Sequence, residues 1–260
     1  MTNHIMQSGR ASVVILAIFA LLFLLPQVWT IADEPAKDDQ KWTLMFDGKT
    51  IDGWSVSKID AEKKVEIKDG YIIVGRDDLA SGIKYDKPFP KSNYEIMYQA
   101  KRAKGYDFFG TLTFPVKESH CSFVTGGWSG HVIGLSSING YDASENDTTT
   151  FHDFKDKQWY QFRVRVSDDR ITVWCYPVGE DGKIVEPAKD DSKAVAAHQG
   201  VEKPKVDITT RDKNFSIRLE VTFFKPLGIS TWNTEGHLRD MKFRELMPEE
   251  IEDIKQLPEN

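Results

Sequence analysis

Cysteine is nearly absent from this chain: Cys121 and Cys175 are the two in 260 residues. Their spacing of 54 excludes a CxxC metal or redox motif. Two readings stand for the pair: one disulfide in an oxidising compartment, or two buried thiols, since sequence does not give the Cα separation. Basic stripes interleaved with aromatics are also missing, and the net charge is −6. A mildly acidic surface repels a phosphate backbone, so nucleic acid is not an expected partner. Helical periodicity is scarce as well. Between Lys41 and Pro248 no apolar stripe of helical spacing extends over ten residues.

A long apolar run occurs once, from Val13 to Leu25, behind Arg10 and closed by Pro26. Its 13 residues are short for the roughly 30 Å of hydrocarbon in a bilayer but suit the h-region of a signal peptide. Thr30-Ile31-Ala32 offers small residues at the positions a signal peptidase reads. The expectation is an exported chain, periplasmic, extracellular or envelope-associated, with residues 1–32 removed. The alternative is an uncleaved anchor, the one route to a membrane. Residues 33–40 read as a charged linker, 41–246 as the folded domain and 247–260 as an acidic tail. Losing Arg10 takes the net charge from −6 to −7, of which −4 sits between Pro248 and Asn260. Pro248 to Leu257 reads as a short helix whose Ile251, Ile254 and Leu257 form one apolar stripe to pack on the domain or a neighbour.

The rest is written in strands. Tyr94, Ile96, Tyr98 and Ala100 alternate with polar residues, and so do Phe215, Ile217, Leu219 and Val221. Period two with one polar face predicts half-buried antiparallel strands, and recurring Asp-Gly and Asp-Asp turns separate them. The fold expected is an all-β sandwich of two antiparallel sheets, a jelly roll. One hairpin is readable residue by residue. A two-residue loop at Asp168-Asp169 sets Ser167 opposite Arg170 and puts Phe162, Val164 and Val166 on one face with Ile171, Val173 and Cys175. The other face then carries Gln161, Arg163 and Arg165 beside Thr172, Trp174 and Tyr176.

Two aromatics on a polar face invite two explanations. They form a sugar platform, rings against the C–H face of a pyranose with Arg and Gln on its hydroxyls. Or Arg163 stacks on Trp174 as a cross-strand cation–π pair, or a neighbouring loop covers both rings.

Several segments resemble the 3-keto-disaccharide hydrolase domain family, a bacterial concanavalin-like jelly roll. Leu44-Met45-Phe46-Asp47-Gly48-Lys49-Thr50-Ile51-Asp52-Gly53-Trp54 is similar to its opening LFNGKDLSGW. Glu66 to Ile73, Asn93 to Ile96 and Trp159 to Val164 resemble its next strands. Gly228-Ile229 with Leu238 to Phe243 resembles its closing segment. Together these bracket residues 41 to 246. The resemblance implies chemistry on a sugar whose C3 hydroxyl has become a ketone: a base removes the acidified C2 proton and the glycosidic oxygen leaves C1. The middle departs from the pattern, reading Phe109 to Phe114 and His131 to Leu135 where the family shows a glutamate and a glutamine. No family catalytic residue is carried over by position.

The residues themselves point to 119–154, which holds three of the six histidines. Trp128 and His131 sit in Gly126-Gly127-Trp128-Ser129-Gly130-His131, a loop where backbone can approach a ligand. His131 is the expected base because imidazole titrates near neutrality; the alternative is a hydrogen-bonded histidine at a strand start. Asp142 and Glu145 are expected to join it. Asp142, Glu145 and Asp147 also offer oxygens for a divalent cation such as Ca²⁺, although the same stretch reads as a solvated turn or as direct ligands of sugar hydroxyls. No other cofactor is implied. Trp232 shares parity with Ser230 and lines the same cleft or sits in the core. The expected groove combines Arg163, Arg165, Trp174 and Tyr176 with His131, Trp128, Asp142 and Glu145, and its ligand is a carbohydrate. Rival readings are a non-catalytic glycan-binding or laminin-G-like module and a structural envelope protein.

Overall fold

The computed structural model describes Met1 and residues 42–57, 65–185 and 203–258. The signal segment and the linker lie outside the described residues. Every strand among the described residues belongs to the unit Gln40–Asn260. Among the described residues no helix is long and apolar enough to cross a membrane.

The described residues form fifteen strands. In chain order the first are β1 (Thr43–Leu44), β2 (Trp54–Ser57), β3 (Val65–Lys68), β4 (Tyr71–Val74) and β5 (Ser81–Tyr85). Next come β6 (Tyr94–Gly105), β7 (Thr111–Val116), β8 (Ser119–Gly126), β9 (Val132–Ser136) and β10 (Thr150–Phe151). The last are β11 (Trp159–Val166), β12 (Arg170–Val178), β13 (Val206–Thr209), β14 (Gly228–Thr231) and β15 (Thr234–Glu245). An eight-stranded sheet has the order β13-β12-β11-β6-β15-β4-β3, with β1 also on β15. A seven-stranded sheet has the order β10-β9-β8-β7-β14-β5-β2. Neighbours in both are antiparallel, and the chain is a jelly-roll sandwich.

The core lies between the sheets, where alternate residues of each strand turn inward. Phe162 of β11 meets Phe123 of β8 edge-on, with ring centroids 5.8 Å apart. Two buried tyrosines of β6 cross the gap with their polar ends satisfied: Tyr98 donates to the Gly110 carbonyl at 2.7 Å and Tyr94 to that of Pro115 at 2.8 Å. Trp54 is core, its indole N–H on the Met45 carbonyl at 2.7 Å. Cys121 and Cys175 are buried thiols with no disulfide between them, the second of the two alternatives the sequence left open.

The β11–β12 hairpin has the expected register throughout, Phe162 opposite Cys175, Val164 opposite Val173 and Arg163 opposite Trp174. Ser167 donates its N–H to Arg170 at 2.9 Å across the turn. The strand expected from Phe215 to Val221 is a correction. Ser216 exchanges backbone hydrogen bonds with Ser137 at 2.8 and 3.1 Å, after which the chain leaves the ladder and forms a 3-10 helix over Leu219–Phe224. Its buried residues, Val221 and Phe224, are three apart, the period of a 3-10 turn, whereas Leu219 is 80% exposed. This segment is a strap across the outer face of the seven-stranded sheet. It fits because β14 begins with Gly228, where a Cβ would stand 2.8 Å from Phe224 Cβ.

Candidate functional site

The outer face of the seven-stranded sheet is unusually low. Register places Ser136, Ser122, Thr113 and Gly228 side by side across β9, β8, β7 and β14. Small side chains leave a trough, and the strap fills one half of it. The open half is walled by three turns at one end of the sandwich. Gly105 ends β6 and leads into Asp107 and Phe108, the β8–β9 connection carries Trp128, and the β14–β15 connection carries Trp232. These turns hold one another: Trp232 donates its backbone N–H to Phe108 at 3.1 Å, and the two rings meet edge-on at 6.1 Å. Trp128 has φ 49°, so its ring is presented from a left-handed turn that a glycine would adopt more readily.

The result is a cleft of about 210 Å³. Its floor is Thr111, Ser122, Val124 and Ser136. Its aromatic wall is Phe108, Trp128 and Trp232, and the strap contributes Arg218, Glu220 and Val221. Gly127 and Asp107 complete the lining. One carboxyl oxygen of Asp107 accepts the Phe108 N–H at 2.8 Å and the other that of Ser129 at 3.3 Å. Burial nevertheless pushes the Asp107 pKa above the ordinary value, outweighing those N–H donors and the Arg102 charge. At the strap Arg218 forks onto Glu220 at 3.1 and 3.4 Å and reaches Asp142 at 2.7 Å. The guanidinium's hydrogen bonds hold Glu220 below the usual carboxylate range. Asp142 also accepts the hydroxyls of Ser136 and Ser137 at 3.1 and 3.3 Å.

The expected groove residues divide between the two outer faces. Trp128 and Trp232 line the cleft, and Asp142 stands behind it through Arg218 and Ser136. Arg163, Arg165, Trp174 and Tyr176 lie on the outer face of the eight-stranded sheet, separated from the cleft by the whole core. The two groups do not form one groove, a correction that follows from β11 and β12 belonging to the other sheet. Trp174 is 9% exposed beneath Arg163 and Arg165, whose guanidinium carbons stand 4.9 and 5.6 Å from its ring centroid. Of the two explanations for its polar-face position, the cation–π stack is the observed geometry. Both arginines are tied to Glu95, and Arg244 links the cluster to Glu250 of the C-terminal helix Pro248–Lys255. That helix buries Ile254 but ends before Leu257, which lies outside it and is half exposed, so the expected apolar stripe does not extend that far.

His131 is not among the residues that line the cleft. It is exposed, with Nδ1 4.0 Å from Asp153. Glu145 and Asp147 are exposed on the loop after β9, and among the described residues no three His, Cys, Asp or Glu side chains gather as a cation would need. The loop is organised by Asn146 instead. Its amide donates to the carbonyls of Leu135, Tyr141 and Asp142 at 2.8, 3.1 and 2.7 Å, and its oxygen accepts from Thr148. Asp107, Arg218 and Glu220 do not stand out in the sequence. For the strap pair a signal exists, because Ser216, Arg218, Glu220 and Thr222 form the polar half of the alternation there, but that alternation reads as a strand. Asp107 stands alone between aromatics and offers no such pattern.

A jelly-roll sandwich with an aromatic- and hydroxyl-lined trough on one sheet is a class of domain suited to carbohydrate. Within it, the chain belongs to the family of 3-keto-alpha-glucoside-1,2-lyase-like domains, whose profile matches residues 41–176, and so is a carbohydrate-related domain. No curated protein matches by sequence. Among solved structures, the chain is similar to the exoplasmic/lumenal domain of VIP36 bound to Ca²⁺ and Man3GlcNAc: 15% identity over 84% of this chain and 95% of that one, TM-score 0.48. Domain 4 of the extracellular arabinanase AbnA from Geobacillus stearothermophilus, in complex with arabinotriose, is 13% identical over 78% and 88%, TM-score 0.42. The carbohydrate-binding module CBM66 from Bacillus subtilis is 12% identical over 74% and 96%, TM-score 0.39.

Proposed function

We propose that the protein is an exported carbohydrate-active domain that takes a 3-keto-glycoside into the cleft on the seven-stranded sheet and cleaves its C1–O bond with the help of a base. The observation that carries this reading is the make-up of that one cleft: two tryptophans and a phenylalanine above a floor of hydroxyls, with Asp107, Arg218 and Glu220 on its walls. A pyranose offers C–H faces to aromatic rings and hydroxyls to groups that donate and accept. Family membership supports the substrate class. A ketone at C3 acidifies the C2 proton, and a positioned carboxylate is a sufficient base for it.

One observation favours a second reading, a non-catalytic glycan-binding module. Arg218 already stands between Glu220 and Asp142, so the cluster bears no spare positive charge for an enolate and suits neutral hydroxyls. Incubation with a 3-keto-disaccharide, followed by chromatography of the products, separates the two. Released monosaccharide supports the lyase-like activity; intact sugar together with a calorimetric binding signal supports the module. Export is tested by sequencing the N-terminus of the protein recovered outside the cytoplasm, with a start after Ala32 as the expected result.

A further inference from the structure

Two carboxylates line the cleft, and they come from two different segments of the chain. Asp107 sits on the β6–β7 turn, fixed by the N–H groups of Phe108 and Ser129 at 2.8 and 3.3 Å. Glu220 sits on the strap, fixed by the Arg218 fork at 3.1 and 3.4 Å. Each is held by hydrogen bonds, and Trp128 and Trp232 line the same cleft. We propose that Asp107 and Glu220 act as an acid–base pair on the glycosidic bond, Asp107 giving a proton to the leaving oxygen and Glu220 taking one from C2. The assignment rests on the functional reading above and names the groups that would carry it.

Pairs of carboxyls whose surroundings push their pKa values apart divide the two roles between them. Burial makes Asp107 the better proton donor, and Arg218 keeps Glu220 ionised and ready to accept. The electron balance closes within the substrate. The C2–H bond breaks and its pair becomes the C1=C2 double bond. The C1–O bond breaks with its pair on the leaving oxygen, which takes the Asp107 proton. The C3 ketone is unchanged overall, the products are an enone and a free alcohol, and solvent resets both carboxyls. Because both ends move together, little charge collects on the C3 oxygen, which fits a site where Arg218 is already neutralised.

The experiment compares two 3-keto-glucosides, a disaccharide and a 4-nitrophenyl glycoside whose leaving group needs no proton. Asp107→Asn is expected to lose about 100-fold or more in kcat/KM on the disaccharide and far less on the nitrophenyl substrate. Glu220→Gln is expected to lose as much on both. Asp107 also caps a turn, so the wild-type pH profile supplies a readout without any variant: an alkaline fall for the disaccharide that the nitrophenyl glycoside lacks. Equal losses of Asp107→Asn on both substrates, identical alkaline limbs, or undiminished turnover of the nitrophenyl glycoside by Glu220→Gln overturns the assignment alone. Wild-type protein that leaves both substrates intact overturns the functional reading and the assignment with it.

Discussion

The guanidinium carbon of Arg163 lies 4.9 Å from the centre of the Trp174 ring, while its Nε donates to Glu95 at 2.7 Å. That contact decides which side of the sandwich can receive a ligand. An indole capped by two arginines has no free face for a sugar, and the arginines are held in place by a carboxylate with no solvent exposure. The part of the eight-stranded sheet around Trp174 is thereby closed, and the trough on the seven-stranded sheet stays open.

Replacing Trp174 should therefore harm the fold and spare the ligand. Trp174→Ala removes a buried ring on which Arg163 and Arg165 rest, and large-to-small changes of this kind cost about 3 kcal/mol or more. Urea unfolding should show the loss, while sugar affinity per folded molecule stays unchanged. Lost affinity at unchanged stability would return the binding site to the eight-stranded sheet.

Glu95 makes stability depend on acid. Burial alone would raise its pKa, but the guanidiniums of Arg163, Arg165 and Arg244 outweigh it and hold the folded value below the ordinary one. A depressed folded pKa contributes stability that is fully present above the unfolded pKa, and it is lost as pH falls through the folded value. The wild-type unfolding midpoint should accordingly drop below about pH 4.5, the ordinary carboxylate range. Glu95→Gln should be weaker by about 3 kcal/mol or more at neutral pH, because three arginines lose their partner, and its acid limb should be flatter. Parallel acid limbs in the two proteins would remove Glu95 from this role.

How much of this is legible in the sequence depends on the local physics of each segment. The β11–β12 hairpin is readable to the residue because a two-residue turn fixes register, and register fixes the face of every side chain. What pairing within one hairpin does not reveal is which neighbour covers its outer face. Glu95 comes from β6 and Glu250 from the C-terminal helix, both remote in sequence, and they turn an apparent platform into a charged cluster. The strap misleads for a different reason. Val221 and Phe224 face the sheet at a spacing of three, but the polar Arg218 and Glu220 two apart imitate a strand. Trp128 can be found from its glycine neighbours and Trp232 from its parity with Ser230. Asp107 cannot, since its importance comes from turns that meet only in the folded chain.

The two thiols carry a prediction that needs no mutation. Cys121 and Cys175 are buried and not joined by a disulfide, and burial pushes the Cys121 thiol well above its ordinary pKa. A thiol reagent should titrate two cysteines per chain in denaturant and leave both unmodified in native buffer over the same interval. Added reductant should leave the melting temperature unchanged. A reductant-sensitive melt would indicate a disulfide and a different packing of β8 against β12.

Trp128 permits the most direct test of the cleft, because its backbone and its ring pull in opposite directions. At φ 49° a tryptophan occupies a region that glycine enters without strain, so Trp128→Gly relieves the turn while deleting the ring. The ring is 40% exposed, so little core packing is lost with it. Stability should hold within about 1 kcal/mol of wild type, in contrast to Trp174→Ala. Affinity for a glycoside should fall about tenfold, equivalent to about 1.4 kcal/mol of stacking. Calorimetric titration of both proteins against the same sugar reads the difference. If Trp128→Gly binds as tightly as wild type, the aromatic wall is not what holds the sugar, and the cleft loses its claim to be the carbohydrate site.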